Sequence, residues 1–146
     1  PMNHRKFQPD RIIDASGCVL GRVSSQIAQL SLEGNKVAII NAERAVITGS
    51  EQDILSRFQK RMEIGSDQGP YYPKRPDRII KRAIRGMLPY KRKKGRDALE
   101  RIRVYVGNPF ETEGEILANT SLEDPSEIRY VELGLISEKL GAKITW

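Results

Sequence analysis

The run Lys36-Val37-Ala38-Ile39-Ile40 constrains the fold more than any other stretch of the chain. Its apolar residues leave no polar side to face water, so a strand here is buried on both faces. Strands of that kind belong to parallel sheets joined by helical crossovers. The flanking sequence supplies the other parts. Arg11–Asp14 (RIID) reads as a first short strand, followed by a turn at Ala15-Ser16-Gly17. Leu20, Val23, Ile27 and Leu30 recur at helical steps, and Gly34-Asn35 stops that helix. Ala45–Thr48 (AVIT) reads as another short strand. Ser50 then caps a helix with Asp53 at its third position, and Ile54, Leu55, Phe58 and Met62 share one face of it. Residues 65–76 hold three prolines and form a loop. Asp77–Leu88 is the next helix, closed by Pro89. A basic loop at Tyr90–Gly95, a short helix at Arg96–Arg101 and a strand at Ile102–Val106 follow. Residues 107–127 make a long acidic surface connection, Ile128–Leu133 a last long strand and Ile136–Leu140 a short helix. Strands alternating with helices predict an α/β layered fold around a mainly parallel sheet.

A chain of 146 residues suits one domain, 1–146, with one core. No apolar run approaches the roughly 20 residues that cross a bilayer. The start, PMNHRKF, has basic residues with no apolar stretch behind them, so no secretory signal is read there and a cytosolic location is expected. Cys18 is the one cysteine and His4 the one histidine, fourteen positions apart. That fits a reducing compartment and argues against an internal disulfide or a zinc site; no metal or cofactor is expected.

The net charge is +6, and its placement matters more than its size. Residues 70–103 carry thirteen Lys and Arg against Asp77, Asp97 and Glu100, a local charge of +10, so the remainder of the chain sums to −4. Winding 77–88 as a helix at roughly 100° per residue gathers Ile79, Ile80, Ala83, Ile84, Met87 and Leu88 on one side. Arg78, Lys81, Arg82 and Arg85 gather on the other. The apolar side is expected to pack on the sheet and the four cations to face solvent. Lys74 and Arg75 precede this stripe, and Lys91, Arg92, Lys93, Lys94 and Arg96 follow it. A charge run is ordinarily a solvated face with both signs mixed. Uncompensated like charges at this density repel, and a polyanion relieves them. Nucleic acid is therefore expected on this face, with the loop 90–95 disordered until RNA orders it. A membrane surface fits less well, because the apolar face that would enter lipid is needed for the core. Tyr71, Tyr72 and Tyr90 either stack on bases and sugars or pack internally.

Other motifs carry less. Gly17–Ser24 (GCVLGRVS) follows a strand and opens a helix, but only three residues separate its glycines, and Arg22-Val23 stands where a phosphate loop needs Lys and Ser or Thr. Either the helix start takes a phosphate with Arg22 assisting, or the glycines simply shape the turn. Asp14 is expected to accept backbone N–H groups in that turn, Cys18 to be a small buried residue, and His4 to be part of a polar tail. Glu43, Arg44, Thr48 and Gly49 read as surface or capping groups. No paired carboxylates, nucleophile motif or metal spacing points to catalysis. The competing readings are an enzyme that holds a phosphorylated substrate at Gly17–Arg22, and a free-standing nucleic-acid regulator.

Several strings together resemble the universal large-subunit ribosomal protein thirteen family. They are Asp14-Ala15-x-Gly17-x-x-x-Gly21-Arg22, Asn41-Ala42-Glu43 with Ile47-Thr48-Gly49, Arg85-Gly86-Met87-Leu88-Pro89, and Arg101-Ile102-Arg103-Val104-Tyr105 with Gly107. The likeness runs from about Ile12 to Trp146. Tyr71–Pro76 and the ending LGAKITW look like the archaeal branch. The resemblance implies a three-layer α/β/α fold on a four-stranded parallel sheet and a place in the large ribosomal subunit. It also implies rRNA as main ligand, a role in subunit assembly, ribosomal protein three as a neighbour, and no catalytic residues or small-molecule substrate.

Overall fold

In the computed structural model, described for residues 7–64, 73–122 and 128–146, three parallel strands form the main sheet. They are β1 (Arg11–Asp14), β2 (Val37–Ile40) and, after an intervening stretch, β4 (Ile102–Val104), in the order β1-β2-β4. The other strands, β3 (Val46–Thr48) and β5 (Tyr130–Glu132), pair antiparallel as a separate ribbon. The helices are α1 (Leu20–Leu32), α2 (Glu51–Ile64), α3 (Pro76–Gly86), α4 (Lys93–Glu100) and α5 (Leu133–Lys139). All four residues of β2 are buried, as an apolar central strand requires.

The register aligns Ile13 with Ile39 and Val104, and Val37 with Ile102. These five side chains share one face and join the helices in a single apolar cluster. Both crossovers run in the same direction along the sheet. Right-handed crossovers in one direction place their helices on one face, which is why α1, α3 and α4 pack side by side. The opposite face carries Ala38 and Ile40, and the connection after β4 covers it. Gly114 lies against Asp14 and Ile40, where a Cβ would stand 2.9 Å from the Asp14 nitrogen. Tyr105 and Phe110 meet edge to face at 5.3 Å, and the Arg103 guanidinium sits 5.4 Å from the centre of the Phe7 ring.

The α/β class with a mainly parallel sheet is thus observed; among the described residues the sheet has three strands where four were expected. The position beside β1 is taken by one residue of the acidic connection, Glu115. Its N–H donates to Ile12 O and its C=O accepts from Asp14 N. A segment rich in Glu, Gly and Pro cannot extend that bridge into a strand. Helices α2 and α5 pack on each other, and α5 on the short turn Ala42–Arg44 that follows β2.

Local signals mostly placed the elements well. Ser50 Oγ accepts from Asp53 N–H at 3.2 Å, the cap expected at the start of α2. Asp14 Oδ1 accepts from Ser16 N–H at 2.9 Å and from Asn41 Nδ2 at 3.0 Å, so it organises the turn after β1. Burial opposes its ionisation, but those hydrogen bonds outweigh it and hold the carboxyl below its usual range. Cys18 is fully buried, and that burial pushes its thiol up. Of the two roles open to Glu43, surface or capping, the structure shows the second: it is buried, and its Oε1 accepts from Gly107 N–H at 3.0 Å. The last strand is three residues long, because α5 already begins at Leu133.

Ile79, Ile80 and Ile84 of α3 are at most 1% exposed. Each such side chain contributes about 1.5–3 kcal/mol by leaving water. Replacing Ile84 by Asp puts a carboxylate among isoleucines and should cost about 4 kcal/mol or more, enough to abolish the cooperative thermal transition followed by circular dichroism. A variant that melts like the parent would mean that this face of α3 does not pack inward.

Candidate nucleic-acid interface

Helix α3 starts with Pro76 at its first position and Asp77 in its first turn, where a missing N–H is harmless and a negative charge is favoured. Arg75 Nε pairs with that carboxylate at 3.2 Å. From here the helix separates its two faces as its periodicity requires. The isoleucines and Leu88 are buried, Arg78 is exposed, and Arg82 and Arg85 are half-buried. Arg78, Lys81, Arg82 and Arg85, with Pro73, line a groove of about 250 Å³ on the outer surface.

Two expectations for this helix need correction. Met87 is 44% exposed and not part of the core. Helix α3 ends at Gly86, and at Met87 the backbone leaves the helix into a turn that swings its side chain out. Lys81 does not offer its ammonium to solvent. Its Nζ donates to Leu99 O at 3.1 Å and also to Ile102 O, the carbonyls where α4 gives way to β4. Burial, with a smaller push from the Arg103 charge, lowers its pKa to about 8.

The stretch Tyr90–Gly95 is also not wholly the loop expected, because α4 begins at Lys93 and not at Arg96. Lys91 and Arg92 lie in the turn, while Lys93 and Lys94 form the first turn of α4. Both ends of this corner are pinned. Gly95 lies so close to the Pro89–Tyr90 peptide that a Cβ would stand 2.0 Å from Pro89 O. The Arg85 guanidinium covers the Tyr90 ring at 4.3 Å, so Tyr90 packs against the end of α3. Arg96 Nη1 donates to Lys91 O at 2.9 Å. Lys91, Arg92, Lys93, Lys94 and Arg96 are all exposed on this ordered corner. Gly95 and Tyr90 are the positions that sequence reasoning missed as supports, since only the folded corner shows what they touch.

The structure therefore brings α3 and the α4 corner together through Tyr90 and Lys81. Lys74, exposed, and Arg75 stand just before α3. Arg22 stands apart: it lies in the first turn of α1, reaches Ser121 O at 3.4 Å, and lines a different groove with Asn119, Ser121 and Leu122. Gly17 has φ +70°, a left-handed conformation that glycine adopts without strain, so Gly17 shapes the turn, whereas Gly21 lies within α1. Arg101, counted in the basic segment, follows the last residue of α4, donates to Ser31 O at 2.9 Å and so serves the packing of α4 on α1. Tyr71, Tyr72, His4 and most of the loop 65–76 lie outside the described residues. Among the described residues no cluster of His, Cys, Asp and Glu could hold a metal, and no helix is long and apolar enough to cross a membrane.

Comparison with known proteins decides the family. The model of the family described as ribosomal protein L13 matches residues 10–111. The chain belongs to the ribosomal protein L13 family. The large ribosomal subunit protein uL13 of Natronomonas pharaonis is 57% identical over 145 residues, spanning 99% of this chain and all of the relative. The uL13 of Haloarcula marismortui is 54% identical over the same spans. That of Methanosarcina barkeri is 50% identical over 137 residues, 90% of this chain and 98% of the relative. The chain is of the archaeal type, and the L13 family is structural and not enzymatic.

Two outcomes are expected of the isolated L13-type domain. Gly95→Ala should destabilise it by roughly 1–3 kcal/mol in a denaturant titration, because the new methyl overlaps a carbonyl. A loss under 0.3 kcal/mol would contradict the close approach. For Lys81, the folded pKa lies below the unfolded one, so between about pH 8 and 10.5 the unfolded chain binds more protons there. Its own contribution to stability therefore rises with pH across that window. The stability of the parent relative to Lys81→Met should climb from pH 8 to pH 10; a flat difference would refute the burial.

Proposed function

We propose that this chain is a structural rRNA-binding protein of the large ribosomal subunit, acting as one domain over residues 1–146. The basic segment 70–103 carries the RNA face. The reading rests on one observation: a helix whose isoleucines are locked in the core and whose opposite side lines a cationic groove, continued by the ordered cations of the next corner. Such cations neutralise phosphates and set the protein's position without reading sequence. Recognition then follows the shape of folded RNA. Lys74, Arg75, Arg78, Arg82, Arg85, Lys91, Arg92, Lys93, Lys94 and Arg96 are the contacts proposed.

The names of the relatives support the ribosomal setting. With it come a cytoplasmic location and a contribution to subunit assembly. So do neighbouring large-subunit proteins, ribosomal protein three among them, against surfaces such as the acidic connection 107–127. Arg22 remains a second, separate phosphate contact in this reading.

If about six phosphates are neutralised, the logarithm of rRNA affinity should fall against the logarithm of salt with a slope of roughly −4 to −5. Reversing Arg78 and Arg82 to Glu should weaken filter binding at least tenfold while leaving the thermal transition in place. Unchanged affinity in that double variant would remove this face from the interface.

A further inference from the structure

We propose that Lys81 is a positioning residue of the RNA face and not one of its phosphate contacts: it ties the end of α4 to α3 so that the cations of both helices form one preset surface. This rests on the rRNA-binding reading above. It starts from a contrast within one helix face. Arg78 is exposed, whereas the Lys81 ammonium is spent on Leu99 O and Ile102 O. Leu99 lies in the last turn of α4, whose final carbonyls have no partner inside the helix. A cation there satisfies a carbonyl and complements the helix dipole together.

Helix α4 needs such support. It has eight residues, too few for a stable isolated helix, and four of its residues and flanks, Lys91 to Lys94, repel one another. Its N-terminal half is seated by Gly95 on the Pro89–Tyr90 peptide. Its C-terminal end is held to α3 by Lys81. Packing on α1 through the buried Ala98 holds the middle of α4, so removing the Lys81 tie frees its C-terminal end to tilt about that contact, and Lys93, Lys94 and Arg96 tilt with it. The aliphatic stem of Lys81 still lines the groove between the arginines, so its place in the basic stripe and its inward ammonium are compatible.

The test compares Lys81→Met, Lys81→Arg and Arg78→Gln in the full chain with two readouts. The first is hydrogen exchange of the α4 amides in the free protein. The second is the salt dependence of binding to large-subunit rRNA. A positioning role predicts that K81M speeds α4 exchange tenfold or more, the size expected for a lost charge-assisted hydrogen bond, and weakens rRNA binding with the salt slope unchanged. K81R should not restore either property, because a planar guanidinium does not converge on two carbonyls as an ammonium does. Arg78→Gln should instead flatten the slope by about 0.7–0.9 and leave exchange alone. If K81M does not fold, K81R carries the same comparison. The proposal is overturned if the Lys81 variants flatten the slope as Arg78→Gln does, or if K81R binds like the parent with α4 exchange unaltered. Should the parent itself bind rRNA without salt dependence, the functional reading fails instead, while the exchange result still reports on the clamp.

Discussion

Ile79, Ile80 and Ile84 give up almost all their exposure to the sheet and its neighbouring helices. Helical periodicity then leaves Arg78, Arg82 and Arg85 on the outside, because a rigid helix cannot bury both sides in a domain of this size. The charge segregation visible along the chain thus becomes segregation in space only because this apolar contact holds. If it loosened, the cations would lose their common direction and with it their value to a polyanion.

The mount for that helix is the parallel sheet. Two right-handed crossovers in one direction set α1, α3 and α4 on one face, so α3 is held by β4 on one side and by α1 on another. The far face is closed by Phe7, Phe110 and the Gly114–Glu115 segment, leaving the connection to do what a second helical layer was expected to do. Stability and the proposed binding therefore draw on different sides of the same few elements. Core isoleucines and the Asp14–Asn41 turn serve the first, and the lysines and arginines between 74 and 96, Lys81 excepted, are the groups proposed for the second.

The elements that were legible in the sequence depend on near neighbours. The apolar run of β2, the spacing Leu20-Val23-Ile27 of α1, the Ser50 cap and the two faces of α3 all follow from residues within a turn or two. What was not legible depends on distant partners. The inward ammonium of Lys81 is set by carbonyls eighteen and twenty-one positions along the chain. The helix that begins inside a run of lysines is fixed by the contact of Gly95 with Pro89, which no propensity encodes. Burial of Glu43 depends on an N–H at Gly107. Among the described residues the place of a fourth strand is taken by a single bridge at Glu115, in a segment whose Glu and Gly content disfavours a longer strand. In the candidate site, the inventory of cations was readable, but which of them the fold itself engages was not: Lys81, Arg101 and Arg103 all turn out to be so engaged.

The central claim is that the outer face of α3 meets a phosphate backbone. Density for this chain within its own assembled large subunit tests it most directly. The account predicts rRNA phosphate oxygens within hydrogen-bond distance of the Arg78 and Arg82 guanidinium groups, with the Lys81 ammonium still on Leu99 and Ile102. Guanidinium groups facing open solvent, or paired with carboxylates of a neighbouring protein and remote from any RNA, would contradict it.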